Sequence, residues 1–563
     1  MQMQRIQRTL LLALPVLGCA ALTGNCLLPA QTASAQTTAA RTSLAQTAAA
    51  APIHVFFRVQ SAPTVGARLN GRLLIFVKQG SGDKEVNTSE FHPTDTWVAA
   101  REVHDLAPGA AVELDADELA SPKAFAAIPA GNYEAQAVLD VDHTYNYSGR
   151  TPTDWISNVV TLANWTPGSG AEPLLTLDHH PEEDPKRAAA LAGLKALAKP
   201  GIAQLEEFES PMLSRFWGHP VKIRAWVILP IGYEDHPADK YPTAYWTHGF
   251  GGGIDGAMVT GMRLYERMKN GTMPPMIWVM LDESIPQGTH EFADSVNTGP
   301  WGAALTTEFI PFLEAKYRMD AVPAGRLLNG HSSGGWATLQ LQVNYPKVFG
   351  GTWSTSPDPS DFHDFSGPDL YAAHANLYRR PDGTAVPIFR QNGQVIATME
   401  QFARLEEVLG PYGGQLSSFD WVFSPKGKSG APLLMFDRDT GYVNTGVAAY
   451  WHDHYDLAHI VEATWADRGA DLKGRIHVFV GTADTFYLDG PAHKFEAVLI
   501  KIGADPHFTY LPDRTHFDLY AVGKDNGALF DQIGTEMYAV ARPGVGWKKA
   551  AQPKKTPRRQ KKN

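Results

Sequence analysis

The segment Gly330–Gly335 (GHSSGG) fits the pattern G-x-S-x-G, with Ser332 as its central serine. A serine hydroxyl becomes a nucleophile when a base takes its proton and nearby donors hold the resulting oxyanion. The motif follows a strand-like run at 326–329 and opens a helical pattern at Trp336. A strand-to-helix turn this tight strains the serine backbone and requires glycine where neighbouring chain comes close. We predict that Ser332 is a nucleophile; the plain alternative is a helix-capping serine in a glycine-rich turn.

A second glycine-rich segment, Tyr245–Gly253, could supply the donors for such an oxyanion. It reads as a strand that runs into the loop HGFGGG, and the glycines let backbone N–H groups turn inward. The predicted donors are the backbone N–H groups of Phe250 or Gly251 and of Ser333. The alternative is a flexible glycine loop without a chemical role.

The base and its carboxylate partner are expected after the serine, in the order Ser, Asp, His. His516 is the last histidine of the chain and follows a strand-like run at 508–511. Asp484 comes directly after another strand-like run, and there it would hold the His516 imidazole in one tautomer and stabilise its cation. Asp489 and Asp513 are the alternative acids.

Elements that could position these residues alternate between strand and helix from about residue 205 to 545. Lys222–Leu229, Thr243–Thr247 and Met276–Leu281 read as strands, and 303–317 has helical spacing. Strands interleaved with helices predict a mostly parallel sheet covered on both faces.

The sequence before this unit has a different pattern of residues. Short β-branched and aromatic runs, separated by Gly, Pro and Asp turns, predict a smaller immunoglobulin-like β-sandwich at 52–177. We interpret residues 178–204 as a linker and find no catalytic constellation in the sandwich.

These segments together resemble the esterase family of the α/β-hydrolase fold that includes enterochelin esterases and feruloyl esterases. The most specific matches are the HGFGGG and GHSSGG motifs, Gly481–Asp484, Thr515–His516 and the GPWG segment at 299–302. The resemblance implies an α/β-hydrolase domain at 205–545 preceded by the smaller β domain. It also implies ester hydrolysis through an acyl-serine intermediate, with neither a metal nor an organic cofactor.

The spacing departs from a bare hydrolase core, because about 150 residues separate Ser332 from Asp484. We therefore predict an insertion or cap at 356–473 that roofs the substrate pocket. Its aromatic and histidine side chains are the expected lining: His363, Tyr371, Tyr378, Phe389, Trp421, Tyr450, Trp451, His452, His454, Tyr455 and His459.

A metal site in this insertion is the alternative role for some of these histidines. The candidate ligands are His452, His454 and His459 with Asp453 and Asp456. Their spacing matches no familiar ligand pattern, so we predict a polar surface and no metal.

The N-terminal residues predict export. Residues 1–35 have a basic start, a short apolar run and a small-residue cleavage site at Ala33–Ala35, which is typical of a signal peptide. Residues 36–51 form a low-complexity linker. A secreted or periplasmic location follows; the alternative is a lipoprotein anchored at Cys19. Cys19 and Cys26 are the only cysteines, so the mature chain would have neither disulfides nor a cysteine nucleophile.

Charge is distributed unevenly along the chain. The formal net charge is −10, yet the tail at 546–563 carries eight lysines and arginines and no acid. The remaining chain is therefore still more acidic, which argues against nucleic acid as a partner. The tail is predicted to be a disordered, solvated extension; the alternative is a weak tether to an anionic envelope surface.

Three functions fit the motifs. The leading hypothesis is an exported serine esterase acting on a small-molecule or polysaccharide-linked ester. The second is an acyltransferase on the same fold, in which a sugar hydroxyl replaces water. The third is a non-catalytic binding protein, which would have no need of the complete Ser, Asp, His and oxyanion set.

Overall fold

The computed structural model describes residues 54–80, 82–196 and 198–547. The predicted signal peptide, the low-complexity linker, Cys19 and the lysines and arginines of the C-terminal tail lie outside these residues. Within the described part of the chain, no helix is both long and apolar enough to span a membrane.

The N-terminal sheet region, residues 54–179, is a mixed β structure. Its elements in chain order are β1 (Phe56–Ser61), β2 (Leu69–Gln79), β3 (Thr96–Leu106), β4 (Ala111–Asp115), β5 (Ala120–Ser121), a 3₁₀ turn (Phe125–Ala127), β6 (Gly131–Asp140), helix α1 (Tyr145–Ser148), β7 (Trp155–Ser157), β8 (Val160–Trp165) and β9 (Leu174–His179). The strand order is β4-β1-β9-β7-β6-β2-β3-β5, and β8 also pairs with β6. β9 pairs with β1 on one side and with β7 on the other, and β7 pairs with β6. These hydrogen bonds connect all the strands into one sheet. The predicted two-sheet sandwich is not confirmed.

The second sheet is the centre of the unit formed by residues 203–541, which the sequence predicts to be a hydrolase and which is called the catalytic unit below. Its strands and the short hairpins between them are β10 (Ala203–Glu209), β11 (Lys222–Ile228), β12 (Thr243–Thr247), β13 (Ile277–Leu281), β14 (Ser284–Ile285), β15 (Gly288–Thr289), β16 (Asp294–Ser295), β17 (Gly299–Pro300), β18 (Arg326–His331), β19 (Gly351–Thr355), β20 (Pro387–Gln391), β21 (Gln394–Thr398), β22 (Ile476–Gly481) and β23 (His507–Leu511). Eight of them form the sheet β10-β11-β13-β12-β18-β19-β22-β23. β11 runs opposite to the other seven strands, which all point the same way. The expected α/β-hydrolase fold with a mostly parallel sheet is confirmed.

Helices cover both faces of this sheet. They are α2 (Pro185–Lys195), α3 (Pro211–Trp217), α4 (Ile254–Lys269), α5 (Trp301–Ala304), a π-helical turn (Leu305–Phe309), α6 (Ile310–Lys316), a 3₁₀ turn (Pro323–Gly325), α7 (Ser333–Asn344), α8 (Met399–Leu409), α9 (Gln415–Phe423), α10 (Thr445–Tyr455), α11 (Leu457–Leu472), α12 (Asp489–Lys501) and α13 (Ala528–Ala541). Leu327 of β18 packs in one apolar cluster with Met258 of α4 and Ile533 of α13. Its neighbour Leu328 lies in another cluster with Leu313 of α6. Both faces of the central strands are thus buried, as a parallel sheet requires.

The predicted insertion between β19 and β22 contains helices α8 to α11, and α8 joins it to the N-terminal sheet region. Leu74 and Phe76 of β2 lie in one buried cluster with Leu405 and Val408 of α8. The Arg72 guanidinium, also on β2, donates from Nε to the Val408 carbonyl oxygen at 3.0 Å. The alternate side chains of β2 face the core of their own region. Burial on both faces explains the near-continuous apolar sequence of this strand.

Candidate active site

Ser332 lies at the turn between β18 and α7. Its backbone angles, φ 61° and ψ −127°, are ones that a residue with a side chain rarely adopts. The turn is so tight that a Cβ atom on Gly330 would lie 2.0 Å from the carbonyl oxygen of Gly334. The turn therefore has the strained strand-to-helix geometry that is typical of a nucleophile elbow, at the carboxyl edge of the parallel sheet.

The Asp484–His516 pair lies at the same edge, after β22 and β23 respectively. Asp484 Oδ2 is 2.9 Å from His516 Nδ1, and both side chains are buried. The second oxygen of Asp484 accepts a hydrogen bond of 2.9 Å from the backbone N–H of Phe486. Burial alone would raise the pKa of Asp484, but the nearby His516 charge and hydrogen bonds hold it below its ordinary value. Asp484 is thus an ionised partner that fixes the His516 ring.

His331 connects this pair to the elbow. It directly precedes Ser332, and its ring centroid is 4.4 Å from that of His516. Burial lowers the pKa of His331 to about 3, so this ring is neutral near pH 7. Ser332 and His516 therefore belong to one site, and the His331 ring beside His516 is uncharged.

The two alternative acids have other surroundings. Asp489 begins α12, and its Oδ1 accepts a hydrogen bond of 2.7 Å from Arg390 Nη2. Asp513 is exposed, and its backbone N–H donates to Thr482 Oγ1 at 2.9 Å. The contact with His516 thus favours Asp484 over both alternatives.

The HGFGGG loop, residues 248–253, connects β12 to α4 and passes directly beside the elbow. A Cβ atom on Gly249 would lie 2.8 Å from Ser332 Cβ, and Gly251 has a φ of +74°. Phe250 and Gly251 belong to this loop, and Ser333 is the first residue of α7. The three predicted oxyanion donors therefore lie in the two segments that meet at Ser332.

His248 anchors the start of this loop. Its Nε2 atom is 3.1 Å from Asp282 Oδ1, and its Nδ1 atom is 2.8 Å from the Gly249 carbonyl oxygen. Burial alone would lower the pKa of His248, but the hydrogen bond to Asp282 and the nearby acidic groups raise it on balance. A buried His–Asp pair thus fixes the loop at the end of β12.

Asp358 is a site residue that the sequence reasoning missed. Its Oδ2 atom accepts a hydrogen bond of 2.6 Å from Ser333 Oγ, and its backbone N–H donates to the Ser332 carbonyl oxygen at 3.3 Å. Gln415 Nε2, from the insertion, donates to the same Ser333 Oγ at 3.3 Å. Burial raises the pKa of Asp358 to about 6. Asp358 follows β19, the strand next to the one that carries Ser332, and this position could have identified it from the sequence.

Two further buried carboxyl groups were also missed. Glu283 and Glu291 follow β13 and are fully buried. Neither Glu283 oxygen has a hydrogen-bond partner among the described residues. Burial raises the pKa of Glu283 to about 8 and that of Glu291 well above its ordinary value. The Glu283 side chain is therefore a neutral acid below about pH 8.

A cavity of about 370 Å³ adjoins the loop at the junction of three parts of the molecule. The N-terminal sheet region contributes Tyr145, Tyr147 and Arg150, among other residues. The loop contributes Phe250 and Gly251. The insertion contributes a mixed set that includes Phe402, Leu405, Glu406, Leu409, Gly414 and Gln415. The cavity thus reaches the HGFGGG loop, whereas Ser332 and His516 do not line it.

The aromatic side chains that were expected to line the pocket are largely core residues instead. Tyr378, Phe389, Trp451 and Tyr455 are buried in the apolar cluster of the insertion. Trp451 packs against Phe423 with ring centroids 5.2 Å apart. An insertion of this size needs its own core, and its largest rings supply it.

The metal-ligand candidates of the insertion come together only in part. Ligand atoms of His452, Asp453 and His459 lie within 4.8 Å of one another. His454 Nδ1 instead donates to a backbone carbonyl one helical turn earlier, at 2.9 Å. Asp456 caps the start of α11. His452 Nδ1 and Asp453 Oδ1 already pair at 2.9 Å, an arrangement that needs no metal.

Comparison with known proteins gives one family. Residues 219–498 match the family described as "Putative esterase", and no curated protein matches the chain. A solved ferulic acid esterase is 15% identical, covers 60% of this chain and 98% of its own, and has a TM-score of 0.37. A fluorophosphonate-binding serine hydrolase of Staphylococcus aureus is 14% identical, with coverages of 61% and 99% and a TM-score of 0.34. An S-formylglutathione hydrolase of the same organism is 13% identical, with coverages of 60% and 98% and a TM-score of 0.35. Residues 219–498 therefore form a segment of this esterase family, and the match supports a carboxylic ester hydrolase.

Proposed function

We propose that the protein is an exported serine esterase that hydrolyses a carboxylic ester through an acyl-serine intermediate on Ser332. The observation that carries the proposal is the meeting of three features at one edge of the sheet. These are the strained elbow, the buried Asp484–His516 pair with its 2.9 Å contact, and the glycine loop beside Ser332. Each feature meets a separate requirement of acyl transfer, and together they form the set that the reaction needs.

The first half of the reaction is acylation. Ser332 Oγ attacks the ester carbonyl carbon while its proton passes to His516 Nε2, the ring nitrogen that does not contact Asp484. The carbonyl oxygen becomes an oxyanion, which the backbone N–H groups of Phe250 or Gly251 and of Ser333 stabilise. When the carbonyl reforms, the bond to the alcohol oxygen breaks. The alcohol leaves with the proton from His516.

The second half is deacylation by water. His516 takes a proton from the water as its oxygen attacks the acyl carbon, and the same donors hold the second oxyanion. The bond to Ser332 Oγ then breaks and the serine regains its proton. The Asp484 carboxylate stabilises the His516 cation in both halves, which its lowered pKa supports.

The substrate class that we propose is a small-molecule or polysaccharide-linked ester. The cavity beside the loop has room for a substantial group beyond the ester bond. Its lining combines aromatic rings with carboxyl, amide and guanidinium groups. Such a surface suits a ligand that has both an aromatic ring and polar groups.

The proposed location is secreted or periplasmic. Its support is the sequence of residues 1–35, with a basic start, a short apolar run and the Ala33–Ala35 cleavage motif. N-terminal sequencing of the mature protein should begin at Gln36. A mature chain that retains Met1 would contradict export by this route.

Ser332→Ala tests the central claim. Because the elbow serine supports no core, the variant should stay folded and lose at least about a thousandfold in kcat on p-nitrophenyl acetate. A fluorophosphonate probe should modify the peptide that contains Ser332 in the wild type and leave the variant unmodified.

Ser417→Ala is the matched control, since this partly exposed serine of the insertion lies outside the elbow. It should retain wild-type turnover and labelling. Near wild-type esterase activity in Ser332→Ala would remove the proposed mechanism.

A further inference from the structure

Tyr147 belongs to the N-terminal sheet region, but its side chain reaches the HGFGGG loop of the catalytic unit. Its hydroxyl donates to the Gly252 carbonyl oxygen at 2.8 Å. Its ring meets the Phe250 ring edge to face, with centroids 5.1 Å apart. Tyr147 therefore contacts the loop on both sides of Gly251, at Phe250 and at Gly252.

The short helix α1 that carries Tyr147 is itself held on two sides. Asn146 Nδ2 donates to the carbonyl oxygens of Glu406 at 2.9 Å and Gly410 at 3.1 Å, both in the insertion. Tyr145 is buried and packs against Phe76 of β2, with ring centroids 5.4 Å apart. Tyr147 thus extends from a fixed support toward the loop.

The loop needs such a contact because of its composition. Four of its six residues are glycines, and glycine backbones have the widest range of conformations. His248 anchors the start of the loop through its contact with Asp282 at 3.1 Å. The hydrogen bond from Tyr147 anchors the other end, at Gly252. Fixed at both ends, the peptide groups of Phe250 and Gly251 lose much of their freedom to rotate.

We propose that Tyr147 is a positioning residue that holds the oxyanion donors of the loop in place, which makes the N-terminal sheet region part of the active site. The inference rests on the proposed function, because it assigns the loop its role in stabilising the oxyanion. The cavity agrees with it, since Tyr147 lines this space together with Phe250, Gly251 and Gln415.

Tyr147→Phe removes only the hydroxyl and so tests the hydrogen bond. Removing a direct oxyanion donor typically costs about a hundredfold or more in kcat, so loss of a residue that positions the donors should cost about tenfold. KM for p-nitrophenyl acetate should stay within about twofold, because the ground state makes little use of the oxyanion donors. Rates are normalised to active sites titrated with a fluorophosphonate, so that a change in the folded fraction does not enter.

Tyr133→Phe is the matched control. The Tyr133 hydroxyl also donates to a backbone carbonyl oxygen, that of Pro129 at 2.9 Å, within the same N-terminal sheet region. This variant should keep the wild-type kcat even if its melting temperature falls.

A trifluoromethyl ketone provides a second readout, because its adduct with Ser332 carries an oxyanion. Its inhibition constant should rise about tenfold in Tyr147→Phe, in parallel with the fall in kcat. A purely structural role would not produce this parallel change.

Equal kcat values in Tyr147→Phe and Tyr133→Phe would overturn the positioning role, as would a raised KM with an unchanged kcat. These results would leave the proposed function standing, provided that Ser332→Ala is inactive. An active Ser332→Ala enzyme would instead refute the function on which the inference rests.

Discussion

Two regions of the molecule are rich in side chains that could take part in catalysis or binding: the carboxyl edge of the eight-stranded sheet and the insertion between β19 and β22. The structure places these side chains differently in the two regions. At the sheet edge, Ser332, Asp484 and His516 follow β18, β22 and β23 and come together in one small volume. In the insertion, most of the large rings point into a core of their own.

The difference comes from how each region specifies position. A residue just past the end of a parallel strand is placed by the sheet itself, so its neighbours follow from the strand order. A side chain on an inserted helix is placed by packing over long sequence distances. A reactive side chain at the sheet edge is therefore a good indication of a functional residue. An aromatic side chain in the insertion more often stabilises the fold.

The largest effect is expected at the sheet edge, with Asp484→Asn. An amide at this position can donate a hydrogen bond to His516 Nδ1 and so favours the wrong tautomer of the ring, and kcat should therefore fall by about 10³- to 10⁴-fold. Asp489→Asn is the matched control, because Asp489 pairs with Arg390 at 2.7 Å. Steady-state kinetics on p-nitrophenyl acetate measures both. A larger loss in Asp489→Asn would move the acid to that position.

Trp451→Ala tests the insertion. Trp451 is 1% exposed and packs against Phe423, so removing the ring should cost about 3–5 kcal/mol in the free energy of unfolding. Turnover per folded molecule should change little. Tyr450→Ala, on the same helix and only partly buried, should cost much less. A stable Trp451→Ala variant with a raised KM for bulky aryl esters would show that this ring lines the pocket after all.

The third effect is of at most the size expected for Trp451→Ala; it concerns a buried acid of the site, Glu283, and depends on pH. Its folded-state pKa of about 8 exceeds the ordinary value of 4.5, so the stabilising effect of its protonated form is lost as pH rises from 4.5 through 8. In Glu283→Gln the free energy of unfolding should no longer fall over this pH range; in the wild type the fall amounts to roughly 3–5 kcal/mol at most. Urea unfolding at pH 5 and pH 8.5 measures it.

Glu118→Gln, at an exposed position, is the control for Glu283→Gln. Its pH dependence of stability should match that of the wild type. If Glu283→Gln also matches the wild type, the carboxyl group must have a partner that keeps it ionised, and the site would be less acidic than its burial indicates.

Local patterns predicted much of the catalytic unit. The strand expected at 243–247 is confirmed as β12, and the one expected at 222–229 as β11, which ends at Ile228. The GHSSGG motif predicted a strand-to-helix turn because only glycine fits at its tightest points, and the structure has that turn. Short-range sterics, which depend only on neighbouring residues, account for this success.

Long-range features could not be predicted in the same way. Asp358 becomes part of the site through its hydrogen bond to Ser333, and Gln415 through a contact that spans 82 residues. The same holds for the N-terminal strands, whose single sheet depends on β9 reaching both β1 and β7. Alternation within a strand indicates that a sheet forms, but it does not identify the neighbouring strand.

The packing of β2 against α8 has a consequence for how the chain folds. Arg72 and Val408 are 336 residues apart, so the outer apolar face of β2 is covered only after most of the chain has been made. During synthesis the N-terminus emerges first, so this face stays uncovered until α8 has been made. Contacts between residues so far apart in the sequence slow folding and prolong the exposure of aggregation-prone apolar surface. The early part of this protein is therefore where a chaperone would be needed most.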